Sequence, residues 1–65
     1  MRREALKKAR LNRNLSQASA AQALHISEIY LRKLEAGTRN PSRALSKQLA
    51  KFYDKSEEEL FPDLF

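Results

Sequence analysis

The chain has 65 residues, with 13 Lys and Arg against 8 Asp and Glu, and a net charge of +5. A chain this short forms one small domain with a thin core, because it buries only about 60% of the surface its unfolded form exposes. It has no Cys, which excludes a disulfide framework and thiolate metal sites. With one His and no Trp it lacks the residues most catalytic constellations combine, so neither a catalytic site nor a metal or cofactor is expected.

The charge is unevenly spread. Residues 1–53 hold twelve of the 13 basic residues and only Glu4, Glu28 and Glu35 as acids, a net of +9. Residues 54–65 set Lys55 against Asp54, Glu57, Glu58, Glu59 and Asp63, a net of −4. A basic body with an acidic tail fits a polyanionic partner, although a solvated basic surface has the same composition. No segment approaches the roughly 18 consecutive apolar residues of a membrane span. Residues 1–13 lack the apolar run of a secretory signal and lead straight into patterned sequence, so they read as part of the fold.

Only Gly37, Pro41 and Pro62 punctuate the chain, and no run of β-branched residues or sustained alternation marks a strand. Ser16, Ser27, Ser42 and Ser56 each precede a helical pattern and can accept from an orphan N–H of the first turn. The sequence therefore predicts five short helices. The first spans about Arg2 to Arg13, with Leu6, Ala9 and Arg10 inward, and Asn14 follows as a left-handed stop. The second, about Gln17 to Leu24, has the small-residue face Ala20, Ala21 and Leu24, which lets another helix approach closely. The third, about Glu28 to Ala36, turns Leu31 and Leu34 inward and stops at Gly37. A loop, Thr38 to Pro41, leads to the fourth, about Arg43 to Tyr53, with Leu45, Leu49, Phe52 and Tyr53 apolar. Ser56 and Glu59 form a capping box that opens a short fifth helix, whose Leu60 and Phe61 close the core.

The second and third helices, over about residues 17–36, are joined only by His25, Ile26 and Ser27. A link of this length between short helices is the geometry of a helix-turn-helix, in which one helix crosses the DNA backbone and the next enters the major groove. A purely structural helical hairpin has the same spacing.

The string Leu15-Ser16-Gln17, Ala21, Leu24, Ile26-Ser27, Tyr30, Leu31, Leu34-Glu35, Gly37 and Asn40-Pro41-Ser42, continuing through Leu45, Leu49, Ala50, Ser56, Glu59, Leu60 and Phe61, resembles the Cro/C1-type (XRE-like) helix-turn-helix family. The resemblance covers about residues 4–61 and implies an all-α, lambda-repressor-like five-helix domain over residues 1–65, with a short tail at 62–65. It implies a cytoplasmic regulator of bacterial or phage kind that binds double-stranded operator DNA, usually as a dimer. Carried over residue by residue, it assigns Ser27, Glu28, Ile29, Arg32 and Lys33 to base reading. Gln17 falls where the family touches a phosphate or braces the recognition helix. Thr38, Arg39, Asn40 and Arg43 match a phosphate-gripping loop, and Arg10 and Glu35 match a buried ion pair between the first and third helices. Four positions depart from the family. His25 stands where Gly is usual, Ala20 replaces Leu, Ala9 replaces another common apolar residue, and Asp54 replaces Gly.

The chemistry of these residues leaves choices. Arg32 and Lys33 can donate to guanine O6 and N7, or remain solvated as exposed basic residues usually do. Glu28 can accept from cytosine N4 or simply favour the dipole of its helix. Ile29 can meet a thymine methyl or stand exposed. Tyr30 can reach a phosphate through its hydroxyl or pack its ring beside the fourth helix. In the tail, Leu64 and Phe65 are apolar residues beyond the needs of the core. They offer a weak two-fold interface or a site for a protein partner, as in an antitoxin-like module, unless the end simply frays. Repression at a palindromic operator is the leading expectation, with activation in the manner of restriction–modification controller proteins, which the chain also resembles, as the alternative.

Overall fold

The computed structural model describes residues 2–65. Five helices follow one another, α1 (Glu4–Asn12), α2 (Gln17–Leu24), α3 (Glu28–Ala36), α4 (Arg43–Tyr53) and α5 (Glu57–Leu60), and no strand occurs among the described residues. The serine caps set four of the five starts. Ser16, Ser27, Ser42 and Ser56 accept from the backbone N–H groups of Ser19, Tyr30, Leu45 and Glu59, each cap worth about 1 kcal/mol. Glu59 returns the bond to the Ser56 backbone N–H, completing the capping box.

The first helix starts later than its pattern predicts, at Glu4 rather than Arg2. Arg3 occupies the N-cap position without capping the helix. Its backbone N–H donates instead to Glu35 O at 2.9 Å, and its side chain is buried. The turns that end the helices are left-handed at Asn14 (φ 57°), His25 (φ 60°), Gly37 (φ 83°) and Asp54 (φ 55°). At His25 the reversal between α2 and α3 is therefore made by a residue with a Cβ, at a cost that Gly would avoid.

The core forms where the five helices converge. It consists of Leu6 and Ala9 from α1, Ala20, Ala21 and Leu24 from α2, Leu31 and Leu34 from α3, Leu45, Leu49 and Tyr53 from α4, and Leu60 and Phe61 at the end. Phe52 lies only partly within it, meeting the Tyr53 ring edge-on at 4.9 Å between centroids. Because α2 presents alanines, α3 packs closely against it, while α1 packs on both α3 and α5.

Through this thin core runs a buried ion pair. Arg10 Nε donates to Glu35 Oε2 at 2.7 Å and Arg10 Nη2 to Glu35 Oε1 at 3.2 Å. Arg10 Nη1 donates to Leu15 O at 2.8 Å, and Gln17 Nε2 donates to Glu35 Oε1 at 3.1 Å. This cluster thus ties α1, the α1–α2 turn, the start of α2 and the last turn of α3 together. Not every buried polar group is so well served. The hydroxyls of Ser46 and Tyr53 are buried with no hydrogen-bond partner.

Glu35→Ala leaves the Arg10 guanidinium buried without its counter-charge, a loss of about 3–5 kcal/mol. This is most of the stability of so small a domain, so circular dichroism is expected to show the variant unfolded or nearly so at room temperature. An unchanged melting curve would remove the pair from its central place.

Burial, reinforced by the Glu35 carboxylate, pushes the Tyr53 phenol from 10.0 up to about 12. The folded state therefore disfavours the phenolate. The resulting stability is intact below pH 10, where the unfolded chain begins to ionise this group, and is lost as the pH climbs to about 12. A two-unit shift corresponds to roughly 3 kcal/mol. Tyr53→Phe is expected to keep its stability at neutral pH, since it removes an orphaned hydroxyl, and to show a shallower alkaline decline in denaturant titrations.

Candidate nucleic-acid interface

α2 and α3 are linked through His25, Ile26 and Ser27, and the turn is closed by Ile26 N donating to Ala21 O at 3.0 Å. Leu31, Leu34 and Glu35 bury the inner side of α3. The same helical period turns Glu28, Ile29, Arg32 and Lys33 outward, all exposed, with Ser27 at the exposed N-cap. Ile29 is 60% exposed, an uncovered apolar side chain among polar ones.

The outward residues differ in how they are engaged. Ser27 Oγ accepts from Tyr30 N at 3.0 Å and so fixes the first turn of α3. Arg32 Nη2 reaches Glu28 Oε2 at 3.4 Å, one turn apart on the helix surface. An exposed pair of this type is worth only about 0.3–0.5 kcal/mol, so both side chains can be redirected at little cost. Lys33 has no side-chain partner among the described residues.

Two shallow depressions flank α3. Ser27, Ile29, Tyr30, Lys33 and Arg39 line one. The other is lined by Arg2, Arg3, Glu4, Lys7, Gln17, Arg32, Glu35 and Ala36. The outward residues of α3 are thus brought beside Arg39 on one edge and Gln17 on the other. Arg2 and Lys7 were not singled out in the sequence. Their place beside Gln17 and Arg32 arises only when the start of α1 packs on α3, which neighbouring residues do not signal. The Gln17 amide donates to Glu35 and so links the start of α2 to α3.

The α3–α4 loop is pinned from both sides. Outside, the Arg39 guanidinium lies 5.6 Å from the Tyr30 ring centroid, and Tyr30 Oη contacts Asn40 O at 3.4 Å. Tyr30 therefore packs on this loop as well as against the core. Inside, Arg3 Nη1 donates to Arg39 O at 2.7 Å and Arg3 Nη2 to Asn40 Oδ1 at 2.7 Å. With its oxygen engaged, the Asn40 amide presents its NH₂ donors, the half suited to a phosphate. Thr38 Oγ1 donates to Lys33 O at 3.3 Å, and Arg43 stands exposed at the first position of α4. Leu64 and Phe65, 40% and 55% exposed, line neither depression.

A family model described as "Helix-turn-helix" matches residues 6–60, nearly the whole chain. No curated protein and no solved structure matches it. Among the described residues no helix is long and apolar enough to cross a membrane. Helix order, a short α2–α3 turn, an outward polar side of α3 and the extent of the match agree, and the chain belongs to the Cro/C1-type (XRE-like) helix-turn-helix family of DNA-binding transcriptional regulators.

Proposed function

We propose that the protein is a sequence-specific repressor that occupies a palindromic operator, with α3 in the major groove. The observation that carries this reading is the outward side of α3. There a hydroxyl, a carboxylate, an exposed apolar side chain, a guanidinium and an ammonium stand together on a rigid helix beside two cation-bearing depressions. This set offers donors for guanine, an acceptor for cytosine and an apolar contact for the thymine methyl. Ser27, Glu28, Ile29, Arg32 and Lys33 are its base readers. Thr38, Arg39, Asn40 and Arg43 grip the backbone on one side of the groove. Arg2 and Lys7 serve the other, beside the backbone N–H groups at the start of α2, where the positive end of the helix dipole favours a phosphate. Gln17 aligns α2 with α3, and Tyr30 acts through the loop it supports.

Two copies pair weakly through Leu64 and Phe65, and the palindrome brings them together with half-sites about one helical turn apart. Their exposure supports this pairing. It equally suits a protein partner seated on the tail, as in an antitoxin-like module. Operator occupancy blocks transcription, and no chemical step is required of the protein.

Selection from random duplex DNA by the purified protein is expected to enrich a palindrome, and Arg32→Ala/Lys33→Ala is expected to lose it. Binding that is only salt-sensitive and unselective would shift the reading to the tail-bound protein partner. With about five phosphate contacts per half-site, log affinity should fall against log salt with a slope of roughly −4 to −5 for each protomer. A flat salt response would contradict the assigned backbone contacts.

A further inference from the structure

The most fully engaged side chain in the domain is not in the helix-turn-helix. Arg3 is 3% exposed, and its guanidinium satisfies acceptors from three separate parts of the chain. Nε and Nη2 donate to Asp63 Oδ1 at 3.2 Å and Oδ2 at 2.9 Å, a two-pronged pair. Nη1 donates to Leu34 O at 2.8 Å and to Arg39 O at 2.7 Å, and Nη2 donates also to Asn40 Oδ1 at 2.7 Å. All five N–H donors of the guanidinium are thus used. The plane lies over the Phe61 ring, 5.2 Å from its centroid. Asp63 is itself held by the turn after α5, where Leu64 N donates to Phe61 O at 3.0 Å and Phe65 N to the same oxygen at 3.1 Å. The Arg3 hydrogen bonds hold the Asp63 carboxyl below its usual range.

This arrangement exceeds what stability alone requires. An arginine seeking one counter-ion would stop at Asp63. Arg3 also takes the carbonyl of Arg39 and the side-chain oxygen of Asn40, two residues of the loop assigned to the DNA backbone. These bonds fix the peptide that follows Arg39 and turn the Asn40 amide so that its NH₂ faces away from Arg3. Lysine could not do this, because a single ammonium has three donors and no planar fork.

We propose that Arg3, oriented by Asp63, is a positioning residue for DNA binding, holding the Arg39–Asn40 loop in its phosphate-gripping shape and thereby coupling the acidic tail to the DNA face. The inference rests on the DNA-binding reading given above. It assigns the tail a role apart from pairing copies, since Asp63 acts within its own chain.

Asp63→Asn tests it, because the two possible effects have opposite signs. The substitution removes one negative charge. On net charge alone it would tighten binding to a polyanion, most at low salt. The positioning role predicts the reverse, because the neutral amide cannot receive both prongs of Arg3. Affinity for a labelled mixed-sequence duplex is measured by anisotropy at a temperature where circular dichroism shows wild type and variant fully folded. Asp63→Asn is expected to bind roughly fivefold more weakly, the loss of about one hydrogen bond. In the free protein the amide resonances of Thr38, Arg39 and Asn40 are expected to move while those of α2 stay in place, which a merely stabilising role would not produce. Arg3→Lys, which leaves the net charge unchanged, should weaken binding in the same direction.

A folded Asp63→Asn variant that binds as tightly as wild type, or more tightly, overturns the proposal. Should both variants be unfolded under all assay conditions, the wild type decides. The Arg3 Nε–H resonance must remain slowly exchanging both free and bound to the duplex, and its loss in the complex overturns the proposal equally. If wild type itself fails to bind the duplex, the DNA-binding reading has failed, and the proposal falls with it. A binding wild type beside an unaffected variant is therefore a different result from no binding at all.

Discussion

A single carboxylate, that of Glu35, sets the relation among the first three helices. It lies in the last turn of α3 with Arg10 and Gln17 converging on it, while Arg10 also reaches the Leu15 carbonyl. In a larger domain such a group could be replaced by packed hydrocarbon with little loss. Here the core includes Ala9, Ala20 and Ala21, whose side chains fill little space between helices. A directional charged contact does what bulk would do elsewhere. It also fixes the angle at which α3 leaves the body, because hydrogen bonds constrain orientation where alkyl contacts tolerate sliding. The outward side of α3 inherits that angle.

Much of this was legible in the sequence, and the reasons are local. Each serine cap speaks to an N–H three residues away, so the starts of α2 to α5 could be read directly. The left-handed stops at Asn14 and Gly37 follow from residue type, and the inward leucines follow from period. The pairing of Arg10 with Glu35 came from the resemblance, since nothing in the spacing of two charged residues on different helices announces that they meet. Arg3 escaped notice for the same reason more acutely. Its partners lie 31 to 60 residues away, and at the start of a helical pattern it looks like one more solvated cation. The late start of α1 belongs to the same error, for Arg3 leaves the helix in order to bury its side chain. Ser46 of α4 is polar by type, yet it is buried.

The two arginines divide the domain between them. Arg10 works inside the helix-turn-helix half and holds helices to helices. Arg3 works at the opposite end of α1 and holds a loop and a tail to the body. One nine-residue helix, Glu4–Asn12, thus joins the two polar anchors, Arg3 at its N-cap position and Arg10 in its last turn. Its outer side remains free to carry Lys7 and Lys8, both exposed. The basic character of the surface and the polar struts of the interior draw on the same residue types without competing, because the helical period sends them to opposite sides.

The left-handed turns have a consequence in the unfolded chain. The whole sequence contains one glycine, yet four residues adopt positive φ, three of them with side chains, Asn14, His25 and Asp54. A side-chain-bearing residue in that conformation strains the native backbone. It also narrows the range of shapes the denatured ensemble can sample, an entropic gain that offsets part of that strain. The domain's reversals are therefore stiff hinges rather than slack ones. Less disorder has to be surrendered on folding, which suits a chain whose core is built partly of alanine.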